Sequence, residues 1–455
     1  MQNSGFLHWV RHLGFFRRAS VFVAKPRLWR SHVVFWLGAL ATGVISVAFA
    51  KLSDGAEGVF GAMTGGGGWH RWLPLVLTPA GMIFCGLMAR AYFPGTQGSG
   101  IPQAIAAHHM RNEAGRSLLL SARIIIGKIA LTVVALACGA SVGREGPTVQ
   151  VGAAMMLVSA RLGRMAHTQG VILAGSAAGI AAAFNTPLAG IVFVIEEMGR
   201  TYSARITGVV LSTVILAGVA AFAIEGSYTY FGISSAMAYF PKDWPLVLCC
   251  GILGGAAGAI FSRLLLAMTY RIRRWSVPPV RKIVIIAGGA GLIVAVIGIA
   301  TGGITYGAGY VESRAGIEGH SLPWYFFAGK FVATLASAAS GIPGGIFAPS
   351  LAVGVGFGSI MAAFWGSSAG LGAILGMSGY FAGVTQAPMT AIVIIVEMTG
   401  SHQHIVPIMA AALLASGTSR LIEPEPLYHA LSRLWTADTL KAIGAPPETG
   451  LATKT

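Results

Sequence analysis

The pentapeptide "GREGP" at 143–147 interrupts an apolar stretch, with Cys138–Val142 before it and Thr148–Ser159 after it. A carboxylate in such surroundings is costly when it faces lipid. Glu145 is therefore paired, faces water, or is at work. A second acid of this kind is Glu197, the latter of an adjacent pair in "VIEEM" (Val194–Met198). Neighbouring residues on a helix point about 100° apart, so Glu196 and Glu197 do not share one environment.

Two further stretches share the plan of "GREGP": "GTQGSGIPQA" (Gly95–Ala104) and "GIPGGIFAP" (Gly341–Pro349). In each, glycines free the backbone, a proline follows, and apolar residues suited to a helix come next. Proline is favoured in a helix's first turn, so each stretch reads as a loop feeding the N-terminus of a short helix. Free N–H groups and the positive end of the helix dipole attract anions there. Irregular backbone at membrane depth is tolerated only where it is buried or lines a watery cavity. Between Trp72 and Arg200 the only acids are Glu113, Glu145, Glu196 and Glu197, so little repels an anion. Each feature has a plainer alternative. One broken segment alone is as readily a re-entrant turn. A fixed glutamate at a helix start stabilises the dipole by under ~2 kcal/mol. A serine such as Ser99 before a turn more commonly caps the helix. Three such segments together point to an anion path.

The elements that must hold these residues are membrane helices. Of 455 residues, 55% are hydrophobic and 10% charged, with mean hydropathy +0.72. A soluble domain is nearer a quarter charged. Runs near the ~20 residues a spanning helix needs recur at Val33–Ala50, Trp72–Tyr92, Ile124–Ala140, Ile206–Ile224, Pro245–Met268, Ile283–Ala300 and Trp324–Ser340. The chain reads as an all-α polytopic membrane protein. Its 63 glycines fall largely inside apolar segments, where small residues let helix backbones approach closely.

The net charge of +16 is not a nucleic-acid footprint, because its distribution is that of a membrane protein. No acid precedes Asp54, while Arg11, Arg17, Arg18, Lys25, Arg27 and Arg30 precede the first apolar run. That places 1–32 as a basic cytoplasmic segment. Phe6, Leu7, Val10, Leu13 and Phe16 are interleaved with the charges, as in a helix lying on a lipid surface. A membrane transport domain is expected over 33–434, with a short cytoplasmic tail at 435–455. Cys85, Cys138, Cys249 and Cys250 lack metal-ligand spacing and read as packing residues, so no metal or cofactor is expected.

The chain repeats itself. "NTPLAGIVFVIE" (Asn185–Glu196) aligns without gaps to "QAPMTAIVIIVE" (Gln386–Glu397), pairing Pro187 with Pro388 and Glu196 with Glu397. Upstream, Gly175 meets Gly376 and Ala181 meets Ala382, and Pro147 falls one residue out of register with Pro349. Paired Gly/Pro-interrupted segments in two halves, about 33–200 and 234–420, mark a transporter whose site lies where the repeats meet. The pairing of Glu196 with Glu397 predicts a structural, helix-end role for both and leaves Glu197 as the unmatched acid. The sequence leaves open whether the repeats are inverted.

"GSGIPQA", "GREGPTVQVGA" and "GGIFAPSLAVG", in this order, resemble the CLC family of chloride channels and chloride/proton antiporters. The resemblance runs from about Val33 to Leu434 and takes in "AAFNTPLAGIVFVIEEM" (Ala182–Met198) and "PLY" (Pro426–Tyr428). It implies an inverted-repeat bundle of tilted and broken helices, multi-pass in the cell (inner) membrane with both termini cytoplasmic, working as a homodimer with one ion path per subunit. By the same resemblance Ser99 and Tyr428 contact the central anion with their hydroxyls, and Ile346 and Phe347 contribute backbone N–H groups. Glu145 becomes the external gate and proton site, supported by Arg144 and Gly146. Glu197 becomes the internal proton acceptor, an acid that passive channels of the family generally lack. Lys128, in "IIIGKIAL", matches a buried lysine that adds positive potential near the path, where the plainer alternative is a lysine snorkelling to the interface. Nitrate-preferring members carry proline where this chain has Ser99, which implies a preference for chloride. One departure is Gln103, where many relatives have glutamate.

The function expected is therefore secondary active exchange of chloride for protons across the bilayer, with chloride and proton as substrate ions. The rival of the same fold is a passive chloride channel. An intramembrane enzyme using Glu145 or His108–His109 lacks a nucleophile–base pair or metal spacing, and a lipid-surface scaffold does not account for broken spans with buried acids.

Overall fold

A computed structural model describes residues 26–446, apart from 166–167, 200–203, 227–228, 235, 237 and 240. The amphipathic pattern of Phe6–Phe16 and the end of the 435–455 tail lie outside the described residues. The boundary drawn at 32/33 falls within the first helix, α1 (Pro26–Thr64), and that at 434/435 within the last, α18 (Leu427–Ala442).

Between them run α2 (Pro74–Ala91), α3 (Ile101–His109), α4 (Glu113–Leu119), α5 (Ala122–Ala137), α6 (Glu145–Gly163), α7 (Thr168–Phe184) and α8 (Pro187–Phe193). A π turn at Val194–Gly199 leads to α9 (Ala204–Glu225). The second half holds α10 (Trp244–Arg274), α11 (Pro279–Ala300), α12 (Tyr310–Ile317), α13 (Trp324–Ala339), α14 (Phe347–Trp365), α15 (Ala369–Thr385), α16 (Pro388–Thr399) and α17 (Ile405–Ile422). Strand-like pairing among the described residues is confined to two isolated bridges.

Among the described residues eight helices are long and apolar enough to span a bilayer, including Phe347–Trp365 and His402–Ile422, which are not among the apolar runs named above. The run at Trp324–Ser340 forms a shorter helix of 16 residues. Ile215, Val219, Ile260, Ile293 and Val296 are exposed on outer faces, as expected where lipid tails rather than water are the solvent.

Each repeat packs a pair of glycine-rich helices against each other. A Cβ on Gly152 of α6 would lie 2.3 Å from the Gly175 carbonyl of α7, and one on Gly354 of α14 would lie 2.7 Å from the Gly376 carbonyl of α15. The two contacts occupy corresponding positions, so the repeat is one of packing as well as of sequence. Both require glycine, because backbone meets backbone there.

The relation between the halves is fixed where they touch. Gly143 and Gly345, which stand at corresponding positions just before α6 and α14, form an antiparallel bridge with reciprocal N–H···O bonds of 2.7 Å. Corresponding residues that pair antiparallel lie on a local two-fold axis, the relation expected of inverted repeats. The repeats are inverted, and the starts of α6 and α14 meet at the axis.

Candidate functional site

The three glycine–proline segments converge on one point. α3 starts after the cap Gly100 with Pro102 in its first turn, α6 starts at Glu145 with Pro147, and α14 starts at Phe347 with Pro349. The loops before them are stitched together: Gly98 N–H donates to Ile342 O at 3.1 Å, Gly344 N–H to Gly98 O at 3.2 Å, and the Gly143–Gly345 pair lies alongside. Three helix N-termini, each with first-turn N–H groups lacking intrahelical acceptors, therefore face a common centre.

Ser99 lies in the first of these loops and is nearly buried. The loop is held from below by Lys128 of α5, whose Nζ donates to Thr96 O at 2.8 Å and Gly98 O at 2.6 Å. Lys128 is fully buried, so it does not snorkel; it clamps the loop that presents Ser99. Gln103 finishes the clamp. Its Oε1 accepts Gly100 N–H at 3.1 Å while its Nε2 donates to Gly95 O at 3.4 Å and to Gln97 O. A glutamate has no N–H to donate, so this departure from the family pattern carries structural work here.

Gly146 allows the close approach of α6: a Cβ there would lie 2.3 Å from Ser99 Oγ. Tyr428, at the start of α18, is fully buried and lies within electrostatic reach of Ser99, Glu145 and Glu197. Beyond each other, Ser99 Oγ and Tyr428 Oη have no hydrogen-bond partner among the described residues. Two buried hydroxyls left for something other than protein fit the expectation that they contact an anion. Ile346 caps α14 and Phe347 is its first residue, so their amides belong to the donor-rich end of that helix. The Phe347 ring stands among Phe381 at 4.4 Å, Phe184 at 5.5 Å and Phe193 at 6.5 Å, an apolar wall that lowers the local dielectric.

Glu145 is buried at the start of α6. It reaches across the two-fold to the start of α14, where Oε2 accepts Ala348 N–H at 3.4 Å, while Oε1 accepts the hydroxyl of Tyr310. A carboxylate thus sits at an anion-seeking helix end. Arg144 extends into a cluster that shares Tyr310 with Glu145. Its guanidinium donates to Ala50 O and Asp54 Oδ1, both at 2.5 Å, and to the Tyr230 hydroxyl. It also lies 5.1 Å from the Tyr310 ring centre. A cavity lined by Lys51, Asp54, Arg144, Asn185, Tyr230 and Tyr310 opens against this side.

Glu197 lies in the π turn and is buried. The corresponding residue in the second repeat is Met398, inside the unbroken helix α16, so acid and π turn are found together in one half only. Such turns re-aim side chains and recur at functional sites. His429, next to Tyr428, donates from Nε2 to the Glu197 carbonyl at 2.7 Å, pinning the turn to the helix that carries the phenol.

The structure brings Ser99, Glu145, Gly146, Ile346, Phe347 and Tyr428 together, with Lys128 beneath and Arg144 behind. Sequence reasoning missed Tyr310, Tyr230, Asp54 and His429, since none stands in a glycine–proline motif. His108 and His109 end α3 with ring centres 5.0 Å apart, and His109 Nδ1 meets Ile105 O at 2.9 Å, a backbone partner. Among the described residues no group of three His, Cys, Asp or Glu side chains is placed to hold a metal ion.

Comparison with known proteins places this arrangement in a family. The family model described as voltage gated chloride channel, Voltage_CLC, matches residues 80–420. The H(+)/Cl(-) exchange transporter ClcA of Salmonella agona (strain SL483) is 31% identical over 423 residues, covering 86% of this chain and 85% of that protein. The ClcA of Yersinia pestis bv. Antiqua (strain Angola) is 33% identical over 391 residues, covering 78% of each. The fold matches the crystal structure of a slow cyanobacterial Cl-/H+ antiporter with TM-score 0.77 at 24% identity, covering 90% of this chain and 98% of that one. It matches a CLC-type fluoride/proton antiporter with TM-score 0.75 at 21% identity, covering 89% and 98%. Convergent broken helices, inverted repeats and a family match over most of its length establish that the chain belongs to the voltage-gated chloride channel (CLC) family.

Proposed function

We propose that the protein is a secondary active antiporter that exchanges chloride for protons across a cell membrane. The observation that carries this reading is the seat of Glu145: a carboxylate rests at the α14 N-terminus, beside two buried hydroxyls that other protein groups leave unbonded. Chloride binds between Ser99 Oγ, Tyr428 Oη and the amides of Ile346 and Phe347. Neutral donors hold a weakly hydrated anion without the grip of a full positive charge, and binding that weak permits release. Glu145 competes with chloride for the same donor-rich helix end. When it takes up a proton it loses its charge, leaves the seat and opens the path, so anion movement and proton movement share one carboxylate.

Glu197 supplies the second proton stop, on the side of the site where Tyr428 and His429 enter. Two proton-binding carboxylates flanking one anion site are what separates an exchanger from a pore. Similarity to proteins named H(+)/Cl(-) exchange transporters supports the same choice. We further propose a homodimer with cytoplasmic termini, each subunit carrying its own path, in keeping with the basic N-terminal segment.

Reconstitution into liposomes with an imposed chloride gradient, with external pH recorded, tests the reading. Protons are expected to move against their own gradient, driven by chloride. Chloride flux with no proton movement would replace the antiporter by a passive channel.

A further inference from the structure

Tyr310 occupies a place that the sequence gives no reason to notice. It opens α12, whose lead-in "GAGY" (Gly307–Tyr310) repeats in the second half the "GSGI" (Gly98–Ile101) that opens α3. The two loops share their backbone path, with Gly98 at φ 69° and Gly100 at φ 104° answered by Gly307 at φ 60° and Gly309 at φ 84°. They also share their clamp. Lys330 of α13, fully buried, donates to Thr305 O, Tyr306 O and Gly307 O at 3.2, 3.2 and 2.7 Å, as Lys128 does for the first loop. Ala308 stands where Ser99 stands, and its N–H donates to Glu57 Oε1 at 2.8 Å. The second loop thus presents no hydroxyl at the serine position. It presents a phenol two residues later, and that phenol donates to Glu145 Oε1.

The ring is locked. It lies 5.1 Å from the Tyr230 ring at 74°, 6.2 Å from Phe231, and under the Arg144 guanidinium. Its hydroxyl therefore meets Glu145 without a search for a rotamer.

We propose that Tyr310 is a positioning residue that latches Glu145 into its seat and sets the pH at which the gate releases. The proposal rests on Glu145 being the gate. A hydroxyl bonds a charged carboxylate about twice as strongly as a neutral acid, so the latch favours the ionised, seated form over the protonated, released one. The charged and titratable groups around it are Arg144 at the α6 cap, Asp54 and Glu57 from α1, Tyr230 from the segment before α10, Glu312 on α12 itself, Lys330 from α13 and Tyr428 from α18. All of them persist when Tyr310 is changed to phenylalanine, as does the ring packing, so that substitution isolates the hydroxyl.

The test measures chloride efflux from liposomes across a pH series, with unmodified protein, Tyr310→Phe, Glu145→Gln and the double variant. Loss of the donor makes Glu145 easier to protonate. The midpoint of the flux–pH curve is expected to move about one unit towards alkaline pH, with up to about tenfold faster efflux at a fixed pH above the original midpoint. In the Glu145→Gln background, Tyr310→Phe is expected to add nothing. Infrared difference spectra between each protein and its Glu145→Gln partner read the same bond without transport: the carboxylate stretch is expected to shift when the phenol is removed. A flux–pH curve unchanged in Tyr310→Phe, or an equal effect of Tyr310→Phe with and without Glu145, overturns the latch. Proton uptake is scored separately. If the unmodified protein moves no protons the exchange reading fails, while the chloride–pH curve still decides on Tyr310.

Discussion

Glu196 and Glu397 each close the helix that carries the other. Glu397 accepts the N–H groups of Leu188 at 3.2 Å and Ala189 at 2.7 Å, at the start of α8. Glu196 accepts those of Met389 at 3.1 Å and Thr390 at 2.6 Å, at the start of α16. The exchange follows the two-fold axis, and each carboxylate satisfies two N–H groups that have no partner within their own helix. Hydrogen bonds to a charged group contribute about 1.5–3 kcal/mol, so Glu397→Gln and Glu196→Gln are expected to lower the thermal midpoint of the detergent-solubilised protein. The chloride/proton ratio of whatever protein folds is expected to stay the same. Loss of coupling at unchanged thermal stability would show that these two acids carry protons rather than hold helices.

Gly146→Ala tests the crossing itself. The added Cβ would lie 2.3 Å from Ser99 Oγ and 2.8 Å from Ser99 O, so the serine must move. Chloride affinity by calorimetry is expected to fall by about tenfold or more, equivalent to at least ~1.4 kcal/mol. Gly417→Ala, where a Cβ meets nothing within 4 Å, serves as the matched control and is expected to bind chloride normally. Equal affinities for the two variants would remove Ser99 from the anion site.

Much of this was legible beforehand, and the boundary is physical. The three helix starts could be read because glycine and proline have conformational meanings that hold in any context. The structural role of Glu196 and Glu397 was readable from their pairing across the repeat. Inversion was not, since a sequence repeat is the same whichever way its copies face; it took the antiparallel Gly143–Gly345 bridge. Tyr310 was hidden because its lead-in resembles that of Ser99 only once the loops are seen clamped alike by Lys128 and Lys330. The partners of Arg144, Asp54 and Ala50, lie on a distant helix and carry no motif, so sequence alone does not show what holds its guanidinium beside the Glu145–Tyr310 pair.

Gln103→Glu restores the residue many relatives carry and is expected to be harmful here. The change removes the Nε2 donor that ties Gly95 O and Gln97 O, and sets a second oxygen against those carbonyls. Gly95 O keeps the Gln150 Nε2 donor at 3.0 Å, so Gln97 O is the acceptor that loses its side-chain partner, and leaving such an acceptor unsatisfied costs about 1–3 kcal/mol. Reduced thermal stability and severalfold weaker chloride binding are expected, with proton coupling retained in the fraction that binds. Unchanged binding and stability would mean that Lys128, Gln150 and the backbone bonds to Ile342 and Gly344 hold the loop without Gln103.

The exchange reading stands or falls on Glu197. Its position is apolar in the second repeat, where Met398 lies buried in a regular helix, so the repeat architecture itself does not require an acid there. A buried carboxylate within the membrane is costly enough to need a task. Proton movement requires a group that loads from one side and passes its proton towards Glu145, and the two acids stand on separate elements, so water or a rearrangement must bridge them. Glu197→Gln is therefore expected to leave chloride binding intact and chloride flux largely so, while abolishing chloride-driven proton uptake in liposomes. His429 gives a second handle, because its ring bonds the Glu197 carbonyl. His429→Ala is expected to loosen the π turn and slow proton uptake severalfold, with chloride affinity at the Ser99–Tyr428 site unchanged. A Glu197→Gln protein that still pumps protons at the unmodified rate would take the internal proton site away from this residue.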